Sequence, residues 1–151
     1  MTDRAPAMTL DAAQAWLTEV ISDAERLRIE SVDGGRVVCA AGPHGLELRH
    51  DGALSGPAMF WAIDLTGFVA VNVLLGPTPA MALANTSISF LEPAAPGVLH
   101  VTAEVIKLAS RSAVVEARAH DRRDQLVSAA TLHFALPSRA TRANGQPRPT
   151  T

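Results

Sequence analysis

The sequence is poor in cysteine, in net charge and in export signals. Of its 151 residues one is cysteine, Cys39. That excludes an internal disulfide and leaves no cysteine cluster for a metal. Lys and Arg together number 13, Asp and Glu 15, and the net charge is -2. A balance this even gives no electrostatic footprint for nucleic acid or for an anionic membrane surface. The start, Met1 to Pro6, lacks a basic patch followed by an apolar run, so no signal peptide is read and a cytoplasmic location is expected. His100, His120 and His133 lie on separate segments without metal-ligand spacing, and no metal site is expected. No internal repeat or low-complexity segment interrupts the chain. What remains is ordinary for a globular protein: 48% apolar and 19% charged residues, over a length that suffices for one domain with a real core.

One stretch stands apart. Between Gly56 and Gly76 the only charged residue is Asp64. Ser55 is placed to cap a helix, Pro57 sits in the first turn where proline is tolerated, and Gly76-Pro77 supply a stop. A helix that is apolar nearly all round is buried, in a core or in a bilayer. The stretch is near the length of a membrane span, but Asp64, Thr66 and Asn72, and the complete soluble pattern around it, favour a core. A carboxylate in either setting is costly unless it is partnered or neutralised.

The rest of the chain reads as one helix and six strands. Residues 1–8 look loose. Thr9 can cap a helix to about Ser22, with Ala12, Ala13, Trp16, Leu17, Val20 and Ile21 on one face and Gln14, Thr18 and Glu19 on the other. Leu27 to Glu30 alternates as a strand, Asp33-Gly34-Gly35-Arg36 is a hairpin turn, and Val37 to Ala41 is the return strand. Cys39 there is a small buried apolar residue. His44 to Gly56 is a loop or short edge segment. After the long helix, strands are expected at Met81–Leu91, Val98–Leu108, Ala113–His120 and Gln125–Leu136, the last with Leu126, Ala130, Leu132, Phe134 and Leu136 in step. The expected organisation is an N-terminal helical segment (1–24), one domain (25–136) and a disordered tail (137–151) whose composition is too polar to pack. Its class is α+β, a curved antiparallel sheet wrapped around one long central helix. One sheet covers one side of such a helix, so its open side is expected to meet a second subunit.

Residues 25–136 resemble the hotdog fold and, within it, the small acyl-CoA thioesterases of the phenylacetate-pathway type. That family has a loop carrying Asn and then His-Gly-Gly ahead of the central helix, with an acidic residue further along it. Here Ser55-Gly56-Pro57 stands in place of His-Gly-Gly, Arg49 in place of the Asn, and Ile63-Asp64 matches the end of a Leu-Ala-Asp. Phe90-Leu91-Glu92-Pro93 followed by Gly97 resembles the family's strand and turn, and Lys107 to Arg111 its segment ending in Gly-Arg. A subset of relatives carries a Ser-Gly-Pro loop, and the chain is similar to that subset.

The resemblance implies hydrolysis of an acyl-CoA thioester in a homodimer or homotetramer. Coenzyme A then enters as part of the substrate and no separate cofactor is needed. Asp64 would act as general base or nucleophile and the Gly56 amide as oxyanion donor, with Ser55 in the loop position of the family's His. Asp64 lies two turns inside the helix, on the order of 12 Å from Ser55 along the axis, so one carbonyl is not easily served by both from one chain. The family shares its site between subunits, which agrees with that length. Substrate-binding candidates are Arg49, His50, Thr86, Ser87 and Arg111. Strand hydroxyls such as Thr86 and Ser87 face the partner's acid by resemblance, and Arg111 is placed to meet coenzyme A phosphates. His50 is of a residue type that can act as base or bind a carbonyl, but it does not match the position of the family's His. Asn72 reads as a core hydrogen bond or a dimer contact. Met59, Phe60, Trp61 and Phe68 suggest a pocket for a short or aromatic acyl group.

Two readings compete with hydrolysis. The pocket can hold an acyl-CoA or another acyl ligand without cleaving it, since the family's His and Asn are replaced. A hotdog hydratase would carry a histidine with its aspartate, and none stands beside Asp64. Asp64 itself can instead pair with Arg49 or a partner's Ser87 and serve only to fix an interface.

Overall fold

The structure, a computed structural model, describes residues 4–42 and 45–139. The expected tail beyond Arg139, and His44 at the head of the loop, lie outside these. In chain order the elements are α1 (Leu10–Val20), a single 3₁₀ turn (Ala24–Arg26), β1 (Leu27–Asp33), β2 (Arg36–Ala41), α2 (Gly56–Leu75), β3 (Ala82–Phe90), β4 (Leu99–Leu108), β5 (Ser112–His120) and β6 (Leu126–Ala135). The strands form one sheet in the order β1-β2-β4-β5-β6-β3. Every neighbouring pair is antiparallel. Helix α2 packs on one face of the sheet and touches β2 to β6. It is long and apolar enough to cross a membrane, but 72% of its apolar window is buried inside the fold.

The strands show why the sheet holds this helix. In β4, Leu99, Val101, Ala103 and Val105 are fully buried while His100, Thr102 and Glu104 alternate outward. In β5, Ala113, Val115, Ala117 and Ala119 face inward. Small inward residues let a bulky helix lie close. The tightest approach is at Gly67, where a Cβ would stand 2.5 Å from Leu132 Cδ1 and 3.3 Å from Phe134 Cε2. Both side chains are buried in the core, so neither has room to swing away.

Three expectations are corrected. Leu126 is out of step: a bulge between β5 and β6 pairs Ala119 with Ser128 and His120 with Leu126. The extra residue shifts the phase, so Val127 and Ser128 are both fully buried and Leu126 is only partly covered. Gln14 does not sit on a solvated face. Its Oε1 accepts from Ile29 N–H at 2.8 Å and its Nε2 donates to Leu27 C=O at 3.4 Å, so α1 satisfies the free edge of β1. The segment before α1 is tied as well, since Ala7 N–H and Met8 N–H donate to Val73 C=O at 2.7 and 3.2 Å, and Met8 is buried.

Asn72 is a core hydrogen-bonding residue. Its Nδ2 donates to Phe68 C=O at 2.8 Å and its Oδ1 accepts from Thr78 N–H at 2.6 Å. It fixes the chain as it leaves α2 and turns toward β3. Cys39 is fully buried, and burial pushes its thiol up to about 12, outweighing a Thr66 hydrogen bond that lowers it. Such a thiol is unreactive at neutral pH.

The Gly67 contact gives a direct test. Gly67→Val is expected to lower the unfolding free energy by about 3 kcal/mol through overpacking. Gly67→Ala should cost less, because a helix-propensity gain of up to ~1 kcal/mol offsets part of the clash. Denaturant midpoints check both.

Candidate active site

The site begins where the loop becomes helix. Leu48 and Leu54 bridge, Arg49 N–H donates to Ala53 C=O at 2.7 Å, and Gly52 N–H donates to Arg49 C=O at 3.0 Å. The loop is thus a small closed hairpin. Two further backbone bonds anchor it: Leu54 N–H to Ala94 C=O and Ser55 N–H to Glu47 C=O, each 2.9 Å. Ser55 then caps α2, its Oγ accepting from Ala58 N–H at 3.1 Å. The hydroxyl is buried and engaged as a cap, which makes it a positioning group.

Gly56 is the first helical residue. Its N–H has no hydrogen-bond partner among the described residues and belongs to the orphan donors at the positive end of the helix dipole. Beside it lies an open cavity of about 320 Å³. Leu54, Met59, Phe90 and Leu91 give it apolar walls, and Arg49 and Glu92 are its charged groups. Arg49 is itself engaged: its guanidinium grips the Asp51 carboxylate with Nε and Nη2. The hydrogen bond from Arg49 holds the Asp51 carboxyl at about 2. His50 sits exposed on the same hairpin.

Asp64 lies two turns further on, along the one stripe of α2 that the sheet leaves partly open. Phe60, Trp61, Asp64 and Phe68 are all only half-buried, while the residues between them are buried. Neighbouring parts of the chain cover some of the stripe. Trp16 of α1 stacks on Phe68 with ring centroids 5.4 Å apart, and Arg26 lies 5.1 Å above the Trp61 ring. Asp64 has no hydrogen bond or ion pair among the described residues. Burial raises its carboxyl above the ordinary aspartate value.

The other sequence candidates are dispersed. Thr86 and Ser87 are adjacent on β3 and so point to opposite faces. Thr86 pairs with Leu132, on the helix side, and its Oγ1 donates to Thr131 C=O at 3.2 Å. Ser87 pairs with Thr131 on the outer face, in a shallow hollow with Ser89, Glu116 and Arg118. Arg111, at the β4–β5 turn, donates from Nε to Leu136 C=O at 3.3 Å. Its end of the sheet is that of Ala82, whereas Gly56 packs near Phe90 at the other end of β3, about 27 Å away at 3.4 Å per residue. Within one chain the structure therefore brings together Arg49, His50, Ser55 and Gly56, but not Asp64, Ser87 or Arg111. Of the four large residues taken to shape a pocket, only Met59 lines the cavity. Phe90 and Leu91 do so as well. Their only sequence signal was the strand-end resemblance around Phe90-Leu91-Glu92-Pro93. Among the described residues no group of three or more His, Cys, Asp or Glu could hold a metal ion.

Asp64 carries a stability signature. Because its carboxyl is raised in the fold, the fold bears an extra cost above that raised value, where the side chain must be charged. The cost vanishes below the ordinary aspartate range, where both folded and unfolded chains are protonated. Asp64→Asn should therefore raise the thermal midpoint at pH 7, and the gap to the parent should close as the pH falls toward 3.5. Melting curves across that range decide it.

The chain matches the family model described as "Thioesterase superfamily" over residues 51–128, a span that holds the second half of the hairpin loop, α2, β3, β4, β5 and the start of β6. No curated protein sequence matches at a significant level. Solved structures do. A protein from Silicibacter sp., assigned as a thioesterase, superposes with TM-score 0.79 at 23% identity, over 87% of this chain and 94% of that one. Zebra fish thioesterase superfamily member 2 gives 0.74 at 18%, over 87% and 100%. The Escherichia coli PaaI protein, from the phenylacetic acid degradation operon, gives 0.72 at 19%, over 86% and 97%. At these identities the likeness is one of fold, a curved antiparallel sheet around one long helix, and that fold is the hotdog fold. With the family model covering half of its length, the chain belongs to the thioesterase superfamily.

Proposed function

We propose that the protein hydrolyses an acyl-CoA thioester at a site completed by a second copy of the chain. The Gly56 N–H of one protomer holds the thioester carbonyl oxygen, and Asp64 of the other acts as general base or nucleophile. The observation that carries this reading is Asp64 itself: a half-buried carboxylate, without a partner among the described residues, on the open stripe of a helix. Membership of the family supports the reaction class. The separation of about 12 Å along α2 between the two groups supports sharing, since a carbonyl at one Gly56 is beyond reach of the same chain's Asp64.

As a base, Asp64 takes a proton from water while the water oxygen bonds to the thioester carbon. The carbonyl becomes an oxyanion, which a preorganised N–H stabilises without reorganisation. Its collapse re-forms C=O, breaks C–S and expels coenzyme A as thiolate, which is then protonated. As a nucleophile, the carboxylate oxygen bonds to that carbon first, the thiolate leaves, and water cleaves the resulting anhydride. Both routes need ionised Asp64. Ser55 holds the first turn, so it positions the Gly56 N–H. Arg49, His50, Thr86 and Arg111 remain candidates for contacts to coenzyme A. Ser87, on the outer face, would contribute only to a differently arranged partner.

Binding without hydrolysis is favoured by one observation: where the family has Asn, this chain has Arg49, and its guanidinium is already occupied by Asp51.

A panel of acyl-CoA thioesters with free-thiol detection separates the two. Turnover is expected in the parent, falling at least about 100-fold in Asp64→Asn, the size of lost general-base or nucleophilic work. Equal rates would remove Asp64 from the reaction, and an inert parent that still binds acyl-CoA would establish the binding reading. The acid limb of kcat/KM should lie above the ordinary aspartate value, as burial of Asp64 dictates. Sedimentation should show dimers or larger assemblies; 15.9 kDa monomers alone would sink the shared site.

A further inference from the structure

One wall of the cavity beside Gly56 has no role in the proposed chemistry. Phe90 closes β3, and its alternation with Thr86 and Ile88 places it on the helix side of the sheet. Its ring reaches the start of α2, with Cζ 3.6 Å from where a Cβ on Gly56 would stand. Yet Phe90 is 50% exposed and Leu91 beside it 48%. Neither belongs to the buried core. The walls made by Leu54 and Met59, at 1% and 4% exposure, are fixed by that core.

The cavity is thus fixed by the core on its helix and loop sides and bounded on its strand side by two large apolar side chains that the single chain leaves exposed. Exposed apolar surface around a concavity fits an apolar ligand group. Its volume of about 320 Å³ is at the lower end of the range of small-molecule sites.

We infer that Phe90, backed by Leu91, limits the size of the acyl group admitted beside the Gly56 amide, favouring a medium-length chain or a single ring over longer chains. This rests on the reading of Gly56 as the group that holds the thioester carbonyl. The ring lies beside that amide, so an acyl chain leaving the carbonyl carbon runs along its face. Phe90 is accordingly a specificity-determining residue and takes no part in bond-making.

The test uses butanoyl-, octanoyl- and dodecanoyl-CoA on the full chain, read as kcat/KM. In the parent the value should climb from butanoyl to octanoyl and not beyond. Phe90→Ala should raise the dodecanoyl-to-octanoyl ratio about tenfold, and Phe90→Trp should lower the octanoyl-to-butanoyl ratio by a similar factor, the scale on which pockets discriminate small apolar groups. Phe90→Leu serves in place of Phe90→Ala if the latter does not fold. Ratios within twofold of the parent in folded variants would overturn the inference while leaving the thioesterase reading intact. A parent that cleaves none of the three fails as a thioesterase. The same three compounds are then compared by calorimetric Kd, where chain-length selectivity that moves with Phe90 upholds the size limit. Binding indifferent to chain length, or no binding, overturns it.

Discussion

The structure depends on one constraint: a 20-residue helix, apolar on nearly every side, has to be covered. A single sheet can wrap only part of it. The six strands do so, β5 with small inward residues, and Gly67 lets the helix axis come close enough for Leu132 and Phe134 to pack against bare backbone. The remaining stripe is covered piecemeal, by Trp16 on Phe68 and by Arg26 over Trp61. Asp64 lies between these two patches. Its half-burial follows from the cover being incomplete, and so does the rise in its carboxyl.

The second organising feature is the joint between the loop and α2. The Gly56 N–H is useful only if the first turn is held still, and several distant parts of the chain hold it. Ser55 caps the turn, and Ala94 anchors the residue before the cap. The turn carrying Ala94 and Ala95 is in turn tied to the β5–β6 turn by Asp121. That carboxyl is buried, which alone would push it up, but N–H groups of Ala95, Gln125 and Arg123 and the Arg123 side chain donate to it and leave it below its ordinary value. A neutral asparagine there would lose charge-assisted bonds that link two turns at the Gly56 end of the sheet. The cavity by Gly56 therefore has its loop and helix sides fixed by the core, and an exposed side at Phe90 and Leu91.

Asp64 and Gly56 lie on the same helix but two turns apart, and this separation is what makes the proposed site need a second copy. Along a straight helix no side-chain rotation closes a gap of about 12 Å. In the proposed assembly, a second copy set against the open stripe would supply both the missing cover for the apolar face and the missing half of the site.

Much of this was legible in the chain. The strand alternation in β4 and β5, the Asp33-Gly34-Gly35-Arg36 turn, the Thr9 and Ser55 caps and the stop at Gly76 are local patterns, written within a few residues of the element they define. Asp64 stood out because it is the only charge in a long apolar run. Other features were not legible, because they depend on what lies across space. A bulge moved Leu126 out of phase, and Gln14 turned from solvent to an unpaired strand edge. Thr86 and Ser87, neighbours in sequence, were sent to opposite faces by the pleat. The ring of Phe90 met Gly56 from a strand more than thirty residues away. The sequence by itself determined the elements, their order and the lone charge on the long helix, because hydrophobic period, caps and turns act locally. Only the tertiary structure decided which side of α2 stays open and which side chains wall the cavity, because both depend on contacts between residues far apart in the chain.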